Sequence, residues 1–331
     1  MNKKVRMADI ADKLGISVVS VSKGLSGKPG VSPEMREKII ATAKELGYTV
    51  ETVQSASEPV SGNIGILVSQ RFAGDNAFYP NLYCQVLVMC NQAGYSGILE
   101  IVPLEAEYSQ TLPNIVQGKK VDGIIFLGEL DRMYLRKVIA TGLPYIMMDF
   151  YDDAISCDCV ISDNTSGGFQ ITNHLIQTGR RDICFVGSIR ATSSIMDRYL
   201  GYTKALLRAG IPIRPEYQVE DRDEDGVFIP LKLPQPMPQA FVCNCDEIAY
   251  NLVELLKRQG YRVPEDVAVA GYDDFRFAQL GIPNLTSYRV NVEDMSRIAV
   301  DRIIQKIEGA AATACSFITR GKLVIRDSTK I

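Results

Sequence analysis

Apolar positions follow two rhythms along the chain. Between Met7 and Gly47 they recur at helical spacing, and from Asn63 onward short unbroken apolar runs alternate with amphipathic stretches. The first rhythm predicts three short helices. One runs from Met7 to Leu14, with Ile10 and Leu14 at i and i+4 beside small Ala11. Gly15 follows, where a tight turn requires a positive φ, and Ile16 plugs the turn into the core. Ser17 caps a second helix from Val18 to Leu25, with Val21 and Leu25 facing inward. The Gly/Pro-rich loop 26–30 ends it, and Ser32-Pro33 opens a third helix with a capping hydroxyl and Pro at its first position. Ile39, Ile40, Ala43 and Leu46 form its expected inner stripe, and Gly47 stops it.

The second rhythm predicts strands at 63–69, 96–102, 121–128, 144–150, 182–188, 239–245 and 266–272. Helices are expected at 79–93, near 107–117 and 131–140, and at 194–209, 246–259 and 291–307. Continuous apolar strands alternating with helices indicate parallel sheets covered on both faces, and the strands are too many for one sheet of usual size, so two lobes are inferred. Between the two rhythms lies TVETVQSASEPVSGN, whose Ser, Thr, Pro and Gly content marks a boundary. The expected domains are a helical head at 1–48, a linker at 49–62 and an α/β body at 63–331.

Two helices joined by a glycine turn, with a third closing the core, form a helix-turn-helix, whose second helix enters the major groove. Its outward residues are Val18, Val19, Ser22 and Lys23. Lys23 can reach a guanine edge or a phosphate, and the valines can touch only thymine methyls. Ser17, Ser20 and Ser32 sit where hydroxyls and helix N-termini hold phosphates. A small helical bundle for protein contacts is the competing reading of the same pattern.

Charge sharpens the picture. The chain carries a net −3, yet residues 1–50 hold nine Lys/Arg against five acids, a local +4 that leaves −7 elsewhere. A basic head on an acidic body meets phosphate without the whole protein adhering to it. The 46% hydrophobic and 23% charged content is that of a soluble globular chain. No apolar run reaches the roughly 20 residues of a membrane span, and no apolar signal core follows the basic start, so the cytoplasm is the expected compartment. Eight cysteines, with Cys157/Cys159 and Cys243/Cys245 each one residue apart, lack zinc spacing and read as reduced core thiols, so no metal is expected. The strand NIGILVS is followed by no phosphate-binding glycine fingerprint, so no nucleotide cofactor is expected either. The single histidine, His174 in the helical pattern TNHLIQ, leaves no Ser-His-Asp or Cys-His set, which argues against an enzyme.

Ligands of open α/β sheets sit beyond the carboxyl ends of the strands. Those ends carry residues 76–79, Asp149-Phe150-Tyr151, Cys245-Asp246 and Asp273-Asp274, and Arg198 lies early in the helix after DICFVGS. Carboxylates, an arginine and aromatic rings suit a polyhydroxylated ligand, a sugar first and a nucleobase or other metabolite second. Each carboxylate taken alone is equally well a helix cap, as Asp273 or Asp274 is for the helix to come.

The segment MADIADKLGISVVSVSKGLSGKPGVSPEMREKIIATAKELGY resembles the head of the lac repressor (LacI-type) family nearly end to end. In the body, KKVDGIIF, the R-x-x-G-Y of Arg198 to Tyr202, the C-D-E-x-A around Asp246, VAVAGYDD and the terminal LVIRDS fall in family order, so the resemblance covers residues 5–328. It implies a three-helix helix-turn-helix head joined to a two-lobed, periplasmic-binding-protein-like α/β effector domain. The lobes would be 63–161 with 291–320, and 163–289 with 322–331, crossed near 161–163, 289–291 and 320–322. Val18, Val19 and Lys23 match the family's base-reading positions, and with Arg6, Met7, Ser17, Ser20, Ser22 and Ser32 make up the expected DNA-binding set. Effector positions map onto Phe78, Tyr79, Asp149, Asp163, Arg198, Cys245 and Asp273.

The resemblance implies a homodimeric regulator on a palindromic operator, a repressor whose DNA affinity is set by a small molecule. A solute-binding protein without a regulatory role is the alternative, opposed by the basic head. Two departures stand out. The family's wedge leucine falls near Ala56 or Ser57, neither of which has the bulk to open a base step. Where the family has Asn before the D-[EQ]-x-A pattern this chain has Cys245, with Asn244 one place earlier, which would alter or remove one ligand hydrogen bond.

Overall fold

The computed structural model describes residues 7–25, 31–46, 61–73, 78–223, 226–310 and 313–330. Two compact units, Met1–Val60 and Ser61–Ile331, make up the chain.

In the first unit α1 (Met7–Leu14), α2 (Val18–Leu25) and α3 (Pro33–Glu45) enclose a small core of Ile10, Ala11, Val21, Ile39 and Ala43. Gly15 takes φ +64, the left-handed turn that connects α1 to α2. The Ser17 hydroxyl accepts from the Ser20 amide at 3.1 Å, and the Ser32 hydroxyl accepts from the Met35 amide at 3.3 Å. Both helices thereby satisfy an amide that has no partner within the helix. Gly24 is buried against Ile39: a Cβ there would fall 2.5 Å from the Ile39 Cδ1. Ile40 departs from its expected place. It is 42% exposed, and buried Thr42 occupies the stripe with Ile39 and Ala43, because Ile40 sits about 100° around the helix from Ile39.

The second unit contains two six-stranded sheets. Its elements, in order, are β1 (Asn63–Ser69), α4 (Phe78–Gln92), β2 (Ser96–Val102), α5 (Leu104–Ser109), α6 (Asn114–Gln117), β3 (Gly123–Leu127), α7 (Arg132–Ile139), β4 (Tyr145–Met148) and β5 (Cys159–Ser162). Then come α8 (Asn164–Gln177), β6 (Ile183–Val186), α9 (Ser193–Arg208), β7 (Gln218–Val219), β8 (Ala240–Cys243), α10 (Asp246–Arg258), β9 (Ala268–Asp273), α11 (Phe277–Leu280) and β10 (Thr286–Arg289). α12 (Val292–Ile307), β11 (Ser316–Thr319) and β12 (Lys322–Val324) close the unit. The single helix expected near 107–117 is two short ones: Gln110 turns left-handed at φ 56, and Pro113, which has no amide hydrogen, caps α6.

The first sheet runs β11-β5-β4-β3-β1-β2 and is parallel throughout. The second runs β12-β10-β9-β8-β6-β7, with β12 antiparallel to β10, an exception to the parallel expectation. Strands β1, β3, β4, β6, β8 and β9 are almost wholly buried, which is why they read as unbroken apolar runs. The chain passes between the sheets at Asp163, at residues 290–291 and at residues 320–321. α12 follows β10 of the second sheet but packs on β3, β4 and β5 of the first. Both sheets place their first strand beside their third, leaving crevices at β1/β3 and β6/β8 where the strand order reverses.

Candidate functional site

On the head, α2 presents Val18 and Val19 at 46% and 62% exposure, with Ser22 and Lys23 also exposed. Ser20 is half-buried and its hydroxyl lies 2.9 Å from that of Ser17, so both hydroxyls take part in the start of α2. Met7 packs against the small core. Arg6, the loop 26–30, Gly47 and linker residues 49–60 lie outside the described residues.

In the body, a cleft of about 410 Å³ lies at the carboxyl ends of the strands and takes walls from both sheets. Phe78 and Tyr79 enter from the start of α4, Asp149 from the end of β4, Arg198 from α9, Cys245 from the N-cap of α10 and Asp273 from the end of β9. Asp163 is not among its lining residues. Its carboxylate instead accepts from the Ser166 amide at 3.0 Å and caps α8. Asp273 and Asp274 cap no helix either: α11 starts after Arg276, and the Asp274 carboxylate pairs with Arg289 and Arg326, each at 2.6 Å. Asn76 lies outside the described residues.

Arg198 is the centre of the cleft. Its Nε donates to Asn164 Oδ1 at 2.9 Å, one terminal nitrogen donates to the Asn244 carbonyl at 2.6 Å, and the other lies 3.8 Å from Asp273 Oδ1. Its guanidinium lies over the Tyr272 ring, 3.8 Å from the centroid. Burial works against the charge of Arg198, and Asp273, Tyr272 and Asp149 outweigh it, so the group holds its proton more tightly than usual. Two glycines fix its height. A Cβ on Gly168 would fall 2.2 Å from the Arg198 carbonyl oxygen, and one on Gly201 would fall 2.1 Å from that of Thr165, so α8 and α9 touch backbone to backbone.

Asp149 faces this cation across the cleft. The Tyr79 hydroxyl donates to its Oδ2 at 2.9 Å, and its buried Oδ1 has no hydrogen-bond partner among the described residues. Burial raises its carboxyl to about 6, against the pull of Arg198 and Tyr79. Burial also raises Asp273, with Arg198 opposing and Asp149 adding to the shift. Both aspartates adopt left-handed backbone, φ 65 and φ 105, a strain that concentrates at functional sites. Tyr79 stacks on Phe72 at 4.6 Å, which a side chain on Gly128 would obstruct, and meets Phe78 edge-on at 5.2 Å.

Other lining residues escaped the sequence reading. Arg71 and Phe72 follow β1, at the strand end where such a cleft is expected, so position alone pointed to them. Thr192 and Ser194 start α9, and the Ser194 hydroxyl donates to the Asp149 carbonyl at 2.9 Å. Arg222 lies over the Phe228 ring at 4.9 Å in a stretch without periodicity. Asn244 and Cys245 both line the cleft, but the Asn244 side chain is engaged within the protein. It donates to the Val186 carbonyl at 3.0 Å and to Asp221 at 2.7 Å, and accepts from Arg222 at 3.2 Å. The Cys245 thiol is buried, and burial pushes its pKa up.

No helix among the described residues is long and apolar enough to cross a membrane. A helix-turn-helix unit and a two-lobed α/β unit with a polar, strained cleft define a transcriptional regulator that couples a DNA-reading head to a sensor body. Residues 6–51 match the bacterial regulatory proteins of the lacI family, and residues 172–329 match the periplasmic binding protein-like domain. The ribose operon repressor of Haemophilus influenzae is 28% identical over 97% of this chain and 98% of its own. Among solved structures, a complex of the transcriptional regulator CelR with cellobiose is 25% identical with a TM-score of 0.71, covering 98% of this chain and 99% of that one. The lac repressor dimer bound to operator and the anti-inducer ONPF shares the fold, at 24% identity and a TM-score of 0.67 over 99% of both chains. The chain is thus similar, in its head and along its whole length, to regulators of the lacI family.

Proposed function

We propose that the protein is a homodimeric repressor whose hold on a palindromic operator is set by a sugar bound between the lobes of its body. The supporting observation is the Arg198 constellation, in which one buried cation is faced by Asp149 from one sheet and Asp273 from the other. A ligand joining those groups stabilises one lobe arrangement over another, which is what an effector must do to shift a two-state equilibrium. Guanidinium and carboxylate groups recognise hydroxyls, and Phe78, Tyr79 and Phe72 supply apolar faces for a sugar ring. The cellobiose in the CelR complex and the ribose operon in the name of the H. influenzae repressor favour the same ligand class.

In this reading residues 1–48 bind DNA, 49–62 connect, and the lobes follow the two sheets. Val18, Val19 and Lys23 contact base edges, while Ser17, Ser20, Ser22 and Ser32, with Arg6 and Met7, meet the backbone. Phe78, Tyr79, Asp149, Arg198, Cys245 and Asp273 contact the effector. Asp163 acts through α8, whose N-terminus it caps. A DNA-bound regulator works in the cytoplasm, and the cleft serves binding rather than turnover.

A gel-shift titration on genomic fragments, with and without sugars, tests this. The reading predicts a retarded fragment whose affinity changes with one sugar. Absence of any retarded fragment at low salt would sink it.

A further inference from the structure

We infer that the effector is an uncharged saccharide of at least two rings, with one ring in the chamber around Arg198 and the next in a second, outer chamber. This rests on the sugar reading above and extends it. The outer chamber has a volume of about 930 Å³ and shares Arg71, Thr192 and Arg222 with the inner one, so the two adjoin along those three side chains. Each volume falls in or near the roughly 300–1,000 Å³ range of small-molecule sites, and together they exceed the needs of a single ring.

The chambers meet at two paired segments, 221–223 and 226–229. Asp221 and Ile229 pair through the Ile229 amide at 3.0 Å, and an isolated bridge joins Arg222 to Phe228. Arg222 faces both chambers, Phe228 the inner and Ile229 the outer. Phe228 and Ile229 remain 38% and 37% exposed, so each chamber has apolar surface to meet a ring face.

Charge selects the chemistry. Among the described residues the outer chamber is lined by Glu129, Asp131, Asp152, Asp153, Glu220 and Asp223. Four arginines oppose these six carboxylates, leaving an acidic excess that repels phosphate and carboxylate groups. Carboxylates accept hydrogen bonds, and hydroxyls donate them. Tyr151 adds a ring at the chamber wall, and the Ser193 hydroxyl, buried there, has no hydrogen-bond partner among the described residues. An uncharged polyol satisfies such a lining and an anion does not.

Calorimetric titration of the full-length protein with neutral monosaccharides, the corresponding di- and trisaccharides, and sugar phosphates tests the inference. A di- or trisaccharide is expected to bind at least tenfold more tightly than its single-ring unit, and sugar phosphates more weakly still. Glu220→Trp, at an exposed position of the outer wall, is expected to abolish that tenfold gain and leave monosaccharide affinity unchanged. Asp153→Trp, at an exposed position elsewhere on the same lining, is expected to do the same and serves if the first variant fails to fold. Equal affinity for one ring and two, a sugar phosphate as the tightest ligand, or full retention of the gain in both folded variants would overturn the inference while leaving a sugar effector in place. No binding by any saccharide would overturn the parent reading and the extension together.

Discussion

The head and the cleft solve recognition in opposite ways. On α2 the groups proposed to read DNA are exposed, adjacent in sequence and mostly uncharged, with Val18, Val19 and Ser22 beside the single cation Lys23. In the cleft the groups are buried and charged, and they come from segments far apart in the chain, with Asp149, Arg198 and Asp273 meeting at the ends of different elements. A local surface can change its specificity one residue at a time. The cleft cannot, because each of its charges is held by the others. Removing a polar group should therefore have distinct signatures in the two regions: loss of contact in the head, and loss of contact together with a change in stability, of either sign, in the body.

Arg198→Ala should give the largest effect. It leaves Asp149 and Asp273 buried without their cation, and breaking a buried pair of this kind costs about 3–5 kcal/mol. Urea denaturation of the body should register this loss, and effector binding should fall at least a hundredfold. Retention of both would place the ligand elsewhere. Arg198→Lys keeps the charge but not the planar fork, so it should recover part of the stability and little of the binding.

Asp149→Asn should act through pH. The folded carboxyl titrates near 6, so between about pH 4 and 6 the native state holds a proton that the unfolded chain has released. The contribution to stability is therefore greatest at low pH and falls as pH rises through 6. At pH 8 the ionised, buried carboxylate costs about 3 kcal/mol. The variant should be more stable than the parent at pH 8 and should flatten this part of the pH profile in thermal melts. An unchanged profile would remove Asp149 as its source.

In the head, Lys23→Ala should weaken DNA binding by about 1–3 kcal/mol if Lys23 reads a base, with relaxed preference at one operator position. If it meets only phosphate, affinity should drop uniformly and the salt slope should shrink by about one. Binding-site selection with a salt titration separates the two. With valines at two reading positions, the unmodified protein should depend steeply on salt. Ser32→Ala removes the cap of α3 and should cost about 1 kcal/mol in the head, the smallest effect of the series.

How far these sites were legible in the sequence follows from the same contrast. The head depends on short-range signals, Gly15, Ser17 and Ser32-Pro33, and the helices begin where those signals place them. Strands β1, β3, β4, β6, β8 and β9 were legible because burial on both faces makes them continuous apolar runs, whereas β5, β7, β10, β11 and β12, of two to four residues each with polar ones among them, are too short to carry that signal. That Phe78, Tyr79, Asp149, Arg198, Cys245 and Asp273 line one cleft was legible because strand ends in a parallel sheet, and the helix starts that follow them, converge there. Asp163 shows the limit: a carboxylate after a strand can line a cleft or cap a helix, and only packing decides between them. Arg222 and Phe228 are joined by an isolated bridge outside the regular strands and carry no periodic signal. Ile40 was misplaced because, in so short a helix, neighbouring apolar residues offer more than one stripe.

On the proposed function, occupancy of the cleft sets the affinity of the head for DNA. The most direct test is fluorescence anisotropy of a labelled operator with the full-length protein, titrated with the saccharide that binds best, for the parent protein and Arg198→Ala at a temperature where both are folded. Operator affinity is expected to change at least tenfold for the parent and not at all for the variant. An operator affinity that ignores the saccharide in the parent, or responds equally in the variant, would contradict it.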